Sequence, residues 1–211
     1  MTNADHAQQP VLVIMGVSGS GKSTVAAILA GQLGWDLEEG DDLHPAANVA
    51  KMQAGTPLTD EDRWPWLDLV ADWISDHTRA GIPGIITCSA LKRIYRDRLR
   101  GDNVVFVHLA GNKDTIAKRL SARMNHYMPT TLLDSQINTL EPPGPDENTL
   151  VVDLGRKPAE EAAEVIARLG LIAEVGSSTL GSDHPGSSSA PALGDLWHTP
   201  APQEQSGERD S

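Results

Sequence analysis

The sequence predicts an α/β fold in which one parallel sheet is covered by helices on both faces. Apolar, β-branched runs recur along the 211-residue chain, and stretches with helical periodicity follow them. A glycine-rich loop comes directly after the first of these runs. With 39% hydrophobic residues, the chain is long enough for one full-sized domain and too short for two large ones. Repeated strand–helix units place ligands at the carboxyl ends of the strands.

Each element follows from its own pattern. Apolar runs predict strands at Val11–Met15, Ile82–Cys88 and Val104–Leu109, and two more strands are expected at Trp35–Glu38, which leads into an acidic loop, and at Leu150–Asp153. The expected helices are Lys22–Leu33, Pro45–Ala54, Asp62–Ala80, Leu91–Arg100, Lys113–Arg123 and Pro158–Leu169. The longest helix carries an apolar stripe with i, i+3, i+4, i+7 spacing, formed by Trp66, Leu69, Val70, Trp73, Ile74 and His77. Pro65 is expected in its first turn, where a missing N–H costs nothing.

The composition divides the chain into a domain and two terminal segments. We expect residues 1–10 to be disordered, residues 11–173 to form the domain, and residues 174–211 to be a disordered acidic tail in which Gly, Ser and Pro dominate. The alternative for the tail is a short partner-binding motif around Leu193–Trp197.

Charge and cysteine content exclude several classes of protein. A net charge of −12 disfavours nucleic-acid binding, which depends on a basic face. The single cysteine, Cys88, forms no intrachain disulfide and is expected to be a packed residue rather than a nucleophile. No apolar run approaches membrane-spanning length, and the polar Met1–Pro10 segment lacks the pattern of a signal peptide. We therefore expect a cytoplasmic protein without a membrane partner.

The glycine-rich loop, Gly16–Ser23, has the pattern G-x-x-x-x-G-K-S between a strand and a helix. Its glycines let backbone N–H groups close around a phosphate, and the helix dipole favours the same anion. Lys22 is expected to reach the β- and γ-phosphates and Ser23 to ligate Mg²⁺. The alternative is a chance glycine turn with a capping serine. The predicted nucleotide-binding residues are Gly16, Val17, Ser18, Gly19, Ser20, Gly21, Lys22, Ser23 and Thr24.

Further segments, in order between Val11 and Leu169, closely resemble the bacterial gluconate kinases of the thermoresistant type. They are Gly16–Ser23, Gly40–Pro45, Lys51-Met52, Asp62-Arg63 with Pro65–Leu67, Cys88–Lys92 with Tyr95–Asp97, and Ser135-Gln136 with Thr139–Glu141. The resemblance implies a P-loop kinase of three layers with a five-stranded sheet and a lid. It implies transfer of the γ-phosphoryl group of ATP to D-gluconate, with Mg²⁺ as cofactor, and leaves a homodimer open.

The acidic loop Glu39–Asp42 follows the second predicted strand and faces the phosphate loop. Phosphoryl transfer to a hydroxyl needs a group that accepts its proton, and a carboxylate here is well placed. The resemblance favours Asp41 in that role and Asp42 as a solvated neighbour. The alternative is that both aspartates cap the helix that begins near Pro45.

A sugar acid calls for cations at fixed points and for hydrogen-bond donors. Lys92, Arg96 and Arg100 share one face of a predicted helix, where the first two are substrate candidates and a solvated charged face is the alternative. Arg63 is a candidate for the carboxylate, or else a surface partner of Asp60. His44 is a candidate donor to a sugar hydroxyl, or else a capping histidine.

The segment from Arg119 to Pro129 resembles the lid of related kinases. Arg123 is expected against the transferring phosphoryl group, and Arg119 either on phosphate or stacked on adenine. The resemblance adds His126 to the substrate contacts. Asn125 stands where the family commonly has glycine, and asparagine is the other residue that best tolerates a left-handed backbone.

Two rival functions remain at this stage. One is a kinase of the same fold acting on another small acid such as shikimate, and the other is a non-catalytic ATP-binding regulatory protein. The third strand ends without the aspartate that many phosphate-loop enzymes use for Mg²⁺. The metal is then expected to depend on Ser23, nucleotide oxygens, water and Asp41.

Overall fold

A computed structural model describes residues 9–121 and 130–173 of the chain. Its five strands are β1 (Val11–Met15), β2 (Asp36–Glu39), β3 (Gly84–Thr87), β4 (Val104–Ala110) and β5 (Thr149–Asp153). They form one fully parallel sheet in the order β2-β3-β1-β4-β5. The predicted α/β fold with a five-stranded sheet is confirmed. The terminal residues 1–8 and the tail 174–211 lie outside the described residues.

Helices cover both faces of this sheet. They are α1 (Lys22–Leu33), α2 (Ala46–Gln53), α3 (Asp60–Ala80), α4 (Arg93–Leu99), α5 (Lys113–Ser121), α6 (Thr130–Thr139) and α7 (Pro158–Leu169). The central strand β1 is fully buried, and its alternate residues enter two separate cores. Leu12 and Ile14 pack with α1 and α7, whereas Val13 packs with α3 and α4. The domain is therefore a three-layer sandwich.

Helix α3 begins two residues earlier than predicted. Thr59 and Asp62 form a capping box: the Thr59 hydroxyl accepts from the Asp62 N–H, and the Asp62 carboxylate accepts from the Thr59 N–H. Pro65 consequently lies beyond the first turn, so the prediction of its position was wrong. In the predicted stripe, Leu69 is 45% exposed, and Leu67, which the pattern missed, is fully buried.

Other boundaries differ from the predicted ones by one or two residues, while α6 was not predicted at all. The bounds of β1, α1 and α7 agree residue for residue. Among the described residues, no helix combines the length and the apolar character needed to cross a bilayer.

Candidate active site

The phosphate loop connects β1 to α1 at the carboxyl edge of the sheet. Gly16, Gly19 and Gly21 have φ values of 141°, 81° and 96°, in the range that L side chains rarely adopt. A Cβ atom on Gly16 would lie 3.0 Å from the Leu109 carbonyl oxygen, so space as well as backbone angle requires glycine. The Lys22 ammonium lies 3.4 Å from the Val17 carbonyl oxygen, inside the curve of the loop.

The Glu39 carboxylate joins the phosphate loop helix to the sheet. Its Oε2 accepts hydrogen bonds from the Ser23 hydroxyl at 3.0 Å and from the Thr87 hydroxyl at 2.7 Å. Three oxygens from α1, β2 and β3 thus meet at one point. Hard oxygen ligands of this kind suit Mg²⁺. Glu39 is a candidate site residue that the sequence did not indicate, although it begins the acidic loop Glu39–Asp42.

Gly40 brings β2 and β3 into unusually close contact. A Cβ atom on Gly40 would lie 2.0 Å from the Thr87 carbonyl oxygen, which leaves room only for glycine. The Gly40 carbonyl accepts a 2.6 Å hydrogen bond from the Trp66 indole N–H, and the Trp66 ring stacks on His44 at 4.2 Å between centroids. This chain of contacts fixes the position of the loop that carries Asp41 and His44.

His44 is held neutral with a defined tautomer. Burial lowers its pKa from 6.5 to about 4, against the opposite effect of Asp41. The Asn48 side-chain nitrogen lies 3.3 Å from His44 Nδ1 and 2.7 Å from the Asp62 carbonyl oxygen. Because that carbonyl needs a donor, the nitrogen is the amide NH₂ group, and Nδ1 is its acceptor. The proton of the neutral ring is therefore on Nε2.

Asp41 and Lys22 both act on the buried Cys88. Burial, together with a smaller effect of the Asp41 charge, raises the pKa of the Cys88 thiol to about 12, whereas a backbone hydrogen bond at Ala90 and the Lys22 charge oppose this rise. Both charged groups therefore lie close enough to Cys88 to affect its pKa. Cys88 itself is 1% exposed and stays protonated, as expected of a packed residue rather than a nucleophile.

A cluster of polar side chains surrounds Asp60 at the start of α3. Both Asp60 oxygens accept from the Lys92 ammonium, at 2.8 and 2.7 Å, and one accepts from the Tyr95 hydroxyl at 2.5 Å. These bonds, the one from Lys92 above all, lower the pKa of Asp60, and the same carboxylate raises the pKa of Lys92. Arg63 lies 3.8 Å from Asp60 and also contacts Tyr95. One carboxylate therefore faces two cations.

The comparisons with known proteins agree with this geometry. A family described as AAA domain matches residues 11–143. The chain is 52% identical over 157 residues to the gluconokinase of Gluconobacter oxydans. The aligned region covers 74% of this chain and 88% of that relative. The chain belongs to the gluconokinase family. It is also 47% identical over 156 residues to the thermoresistant gluconokinase of Escherichia coli, covering 72% of this chain and 87% of the relative.

A solved gluconokinase from Sinorhizobium meliloti superposes with a TM-score of 0.71 at 43% identity, covering 76% of this chain and 91% of that one. The resemblance to gluconate kinases drawn from the sequence motifs is thereby confirmed.

Arg96 does not lie with Lys92. It is 1% exposed and donates to both Glu147 oxygens, from Nε at 2.5 Å and Nη2 at 3.0 Å. Its Nη1 donates to the carbonyls of Ala90 and Leu91. The guanidinium therefore joins the Ala90–Leu91 loop to Glu147, in contrast to the predicted substrate contact. Arg100 is 64% exposed and pairs with Asp97, as a solvated charge would.

Arg119 lies beneath the phosphate loop. Its Nη1 donates to the Ser20 carbonyl at 3.1 Å, and its Nη2 donates to the buried Glu161 carboxylate at 2.5 Å and to the Leu154 and Arg156 carbonyls at 2.7 Å. The observed contacts are thus with the loop backbone and the turn after β5. The other predicted lid residues, Arg123, Asn125 and His126, lie outside the described residues.

Proposed function

We propose that the protein transfers the γ-phosphoryl group of ATP to D-gluconate, giving 6-phospho-D-gluconate and ADP. The observation that carries this proposal is a phosphate loop and a cation pair at one sheet edge. The Gly16 N–H donates to the Ser89 carbonyl at 3.3 Å, which connects the phosphate loop to the loop that leads to Lys92. Since Asp60 balances only one of Arg63 and Lys92, the cluster retains a positive charge for an anionic acid.

The loop residues Gly16, Val17, Ser18, Gly19, Ser20, Gly21, Lys22, Ser23 and Thr24 would hold ATP. Lys22 and the backbone amides would stabilise the charge that develops on the equatorial phosphoryl oxygens. The gluconate O6 oxygen bonds to the γ-phosphorus as the bond to the β–γ bridging oxygen breaks, and ADP keeps that electron pair. The hydroxyl proton would pass to the Asp41 carboxylate.

The residues present fit a bound Mg²⁺. Ser23 would hold it, with its hydroxyl oriented by Glu39, and the charge of the bound ion would offset that of the phosphate oxygens. Within the described ranges, no three His, Cys, Asp or Glu side chains cluster as a metal site. Mg²⁺ in kinases is usually bound by one or two protein groups together with substrate oxygens and water, so a larger cluster is not required.

The acceptor would be held by three side chains of different chemistry. Arg63 and Lys92 would bind the carboxylate, because both face Asp60 and neither is buried away from solvent. His44 would donate from Nε2 to a sugar hydroxyl, as its depressed pKa leaves that one proton in place at neutral pH. Arg96 is buried with Glu147, at 1% exposure of its side chain, so we do not assign it to the substrate.

Several expectations from the sequence stay predictions. They are the phosphoryl contact of Arg123, the substrate contact of His126, a nucleotide contact of Arg119, a cytoplasmic location, a homodimer, and domain limits at residues 11 and 173 with a disordered tail.

A coupled assay of ADP release tests the function. We expect turnover with D-gluconate, none with shikimate and none without an acceptor. Lys22→Ala should nearly abolish it, because no neutral side chain replaces that charge on the phosphates. Lys113→Ala is the matched control, since this lysine is 59% exposed and pairs with Asp134. ADP release that does not depend on gluconate would refute the assignment.

A further inference from the structure

The peptide unit that joins Val17 to Ser18 is bound on both sides. Its carbonyl oxygen lies 3.4 Å from the Lys22 ammonium and accepts from the Ser20 N–H at 3.2 Å. Its N–H, which belongs to Ser18, donates to the side-chain carbonyl of Gln136 at 2.6 Å. Gln136 lies on α6, 118 residues further along the chain. A distant side chain therefore holds the peptide on which Lys22 rests.

A peptide unit is planar, so its N–H and its C=O point in opposite directions and turn together. Fixing the direction of the Ser18 N–H therefore also fixes the direction of the Val17 carbonyl. The loop has glycines on either side, at Gly16 and Gly19, and two hydrogen bonds hold this plane: the Ser20 N–H on the carbonyl side and Gln136 on the N–H side. The Gln136 bond therefore helps to set where the carbonyl offers its lone pairs to the Lys22 ammonium.

Helix α6, which carries Gln136, packs against the core of the domain. Leu133 is 3% exposed, and Ile137 and Leu140 pack against the same core. Directly after the helix, the Glu141 N–H donates to the Leu91 carbonyl at 2.9 Å. The helix is therefore held by its apolar face and by the hydrogen bond that follows its last residue, and both contacts position Gln136.

We propose that Gln136 is a positioning residue for Lys22, acting through the Val17–Ser18 peptide. The proposal rests on the binding of ATP by the phosphate loop, as stated above. Gln136 holds this peptide so that the Lys22 ammonium stays within reach of the β- and γ-phosphates. Loss of the acceptor lets the peptide turn, and Lys22 then loses the carbonyl that orients it.

A double-mutant cycle on ATP binding separates this role from support of α6. The variants are Gln136→Leu, which removes the acceptor at similar size, Lys22→Ala, and both together. Binding is measured by the rise in Tm with ATP concentration, which reads dissociation constants up to about millimolar. Asn138→Leu is the matched control, because it removes an exposed amide from the same helix.

We expect Gln136→Leu to weaken ATP binding about fivefold when Lys22 is present and less than about twofold when Lys22 is Ala, since residues acting through one another are not additive. Asn138→Leu should change it less than about twofold in both. Equal weakening by Gln136→Leu in both backgrounds, or none in either, would overturn this inference alone. A wild-type Tm that does not respond to ATP would overturn the proposed function as well.

Discussion

The Ser23 hydroxyl donates to the Glu39 carboxylate at 3.0 Å, and this bond determines how the serine oxygen is presented. A hydroxyl has one proton and two lone pairs. With the proton directed at Glu39, both lone pairs remain for a cation on the nucleotide side. Glu39 is itself held by the Thr87 hydroxyl at 2.7 Å, so the carboxylate is fixed to β3.

We therefore expect Glu39→Gln to raise the Mg²⁺ concentration for half-maximal activity by about tenfold, the usual effect of losing a group that orients a metal ligand. Saturating Mg²⁺ should recover most of the turnover. Glu38→Gln is the matched control, as the neighbouring carboxyl does not bond to Ser23. A titration of activity against Mg²⁺ measures the half-maximal concentration and the turnover at saturation for each variant. An unchanged Mg²⁺ requirement in Glu39→Gln would show that Glu39 has no part in holding the metal.

Asp41 and Asp42 are neighbours, yet only Asp41 is expected to take the hydroxyl proton. We expect Asp41→Asn to lower kcat by about 10²-fold or more, in the usual range for a general base, with modest change in ATP affinity. Asp42→Asn should have a much smaller effect. Steady-state kinetics on the two variants provide the measurement. Equal losses would mean that the aspartates act together, as caps or as general charge, rather than as one base.

His44 gives the domain a pH dependence of defined sign. Burial lowers its pKa from 6.5 to about 4, so between these values the unfolded chain binds a proton that the folded protein does not. Stability therefore falls as pH decreases through this window. We expect the urea midpoint to fall less from pH 7 to pH 4.5 in His44→Gln than in the wild type. Equal falls in the two proteins would contradict a neutral His44.

Strands β1, β3 and β4 were predictable because buried parallel strands are continuous apolar runs, and β1 has the predicted bounds Val11–Met15. Helix α6 was not predicted, although Leu133, Ile137 and Leu140 have the i, i+4, i+7 spacing of a helix face. Residues such as Thr130, Asp134 and Asn138 have low helix propensity, so the helix depends on the packing of that face. In so short a stretch the spacing is a weak signal.

In the candidate site, the phosphate loop lies between a strand and a helix as its motif predicts, but helical spacing gave the wrong position for Arg96. The helix starts at Arg93, and Lys92 precedes it with extended φ and ψ of −92° and 150°. Lys92 is the N-cap residue: its carbonyl accepts from the Arg96 N–H at 3.3 Å, but its side chain pairs with Asp60, whereas the Arg96 side chain pairs with Glu147. Glu39 was missed for another reason: its partners Ser23 and Thr87 lie 16 and 48 residues away. No spacing rule connects them.

Arg96 should instead be a large contributor to stability. It is buried with Glu147, whose pKa is lowered chiefly by the Arg96 hydrogen bonds, and it also binds the Ala90 carbonyl. Ala90 has a φ of 43°, the one non-glycine residue with positive φ in the described part of the chain, so its conformation needs such support. Arg96→Ala leaves the buried Glu147 charge without its cation, with only the Gly144 N–H as a donor among the described residues, and releases the loop before Lys92.

We expect Arg96→Ala to lower the free energy of unfolding by about 3–5 kcal/mol, the usual cost of breaking a buried ion pair from one side. Arg100→Ala, on the exposed side of the same segment, should cost less than about 0.5 kcal/mol. Urea denaturation at pH 7 measures both variants. A similar small loss in the two would mean that the Arg96–Glu147 pair does not hold the loop, and Arg96 would return as a candidate for the substrate carboxylate.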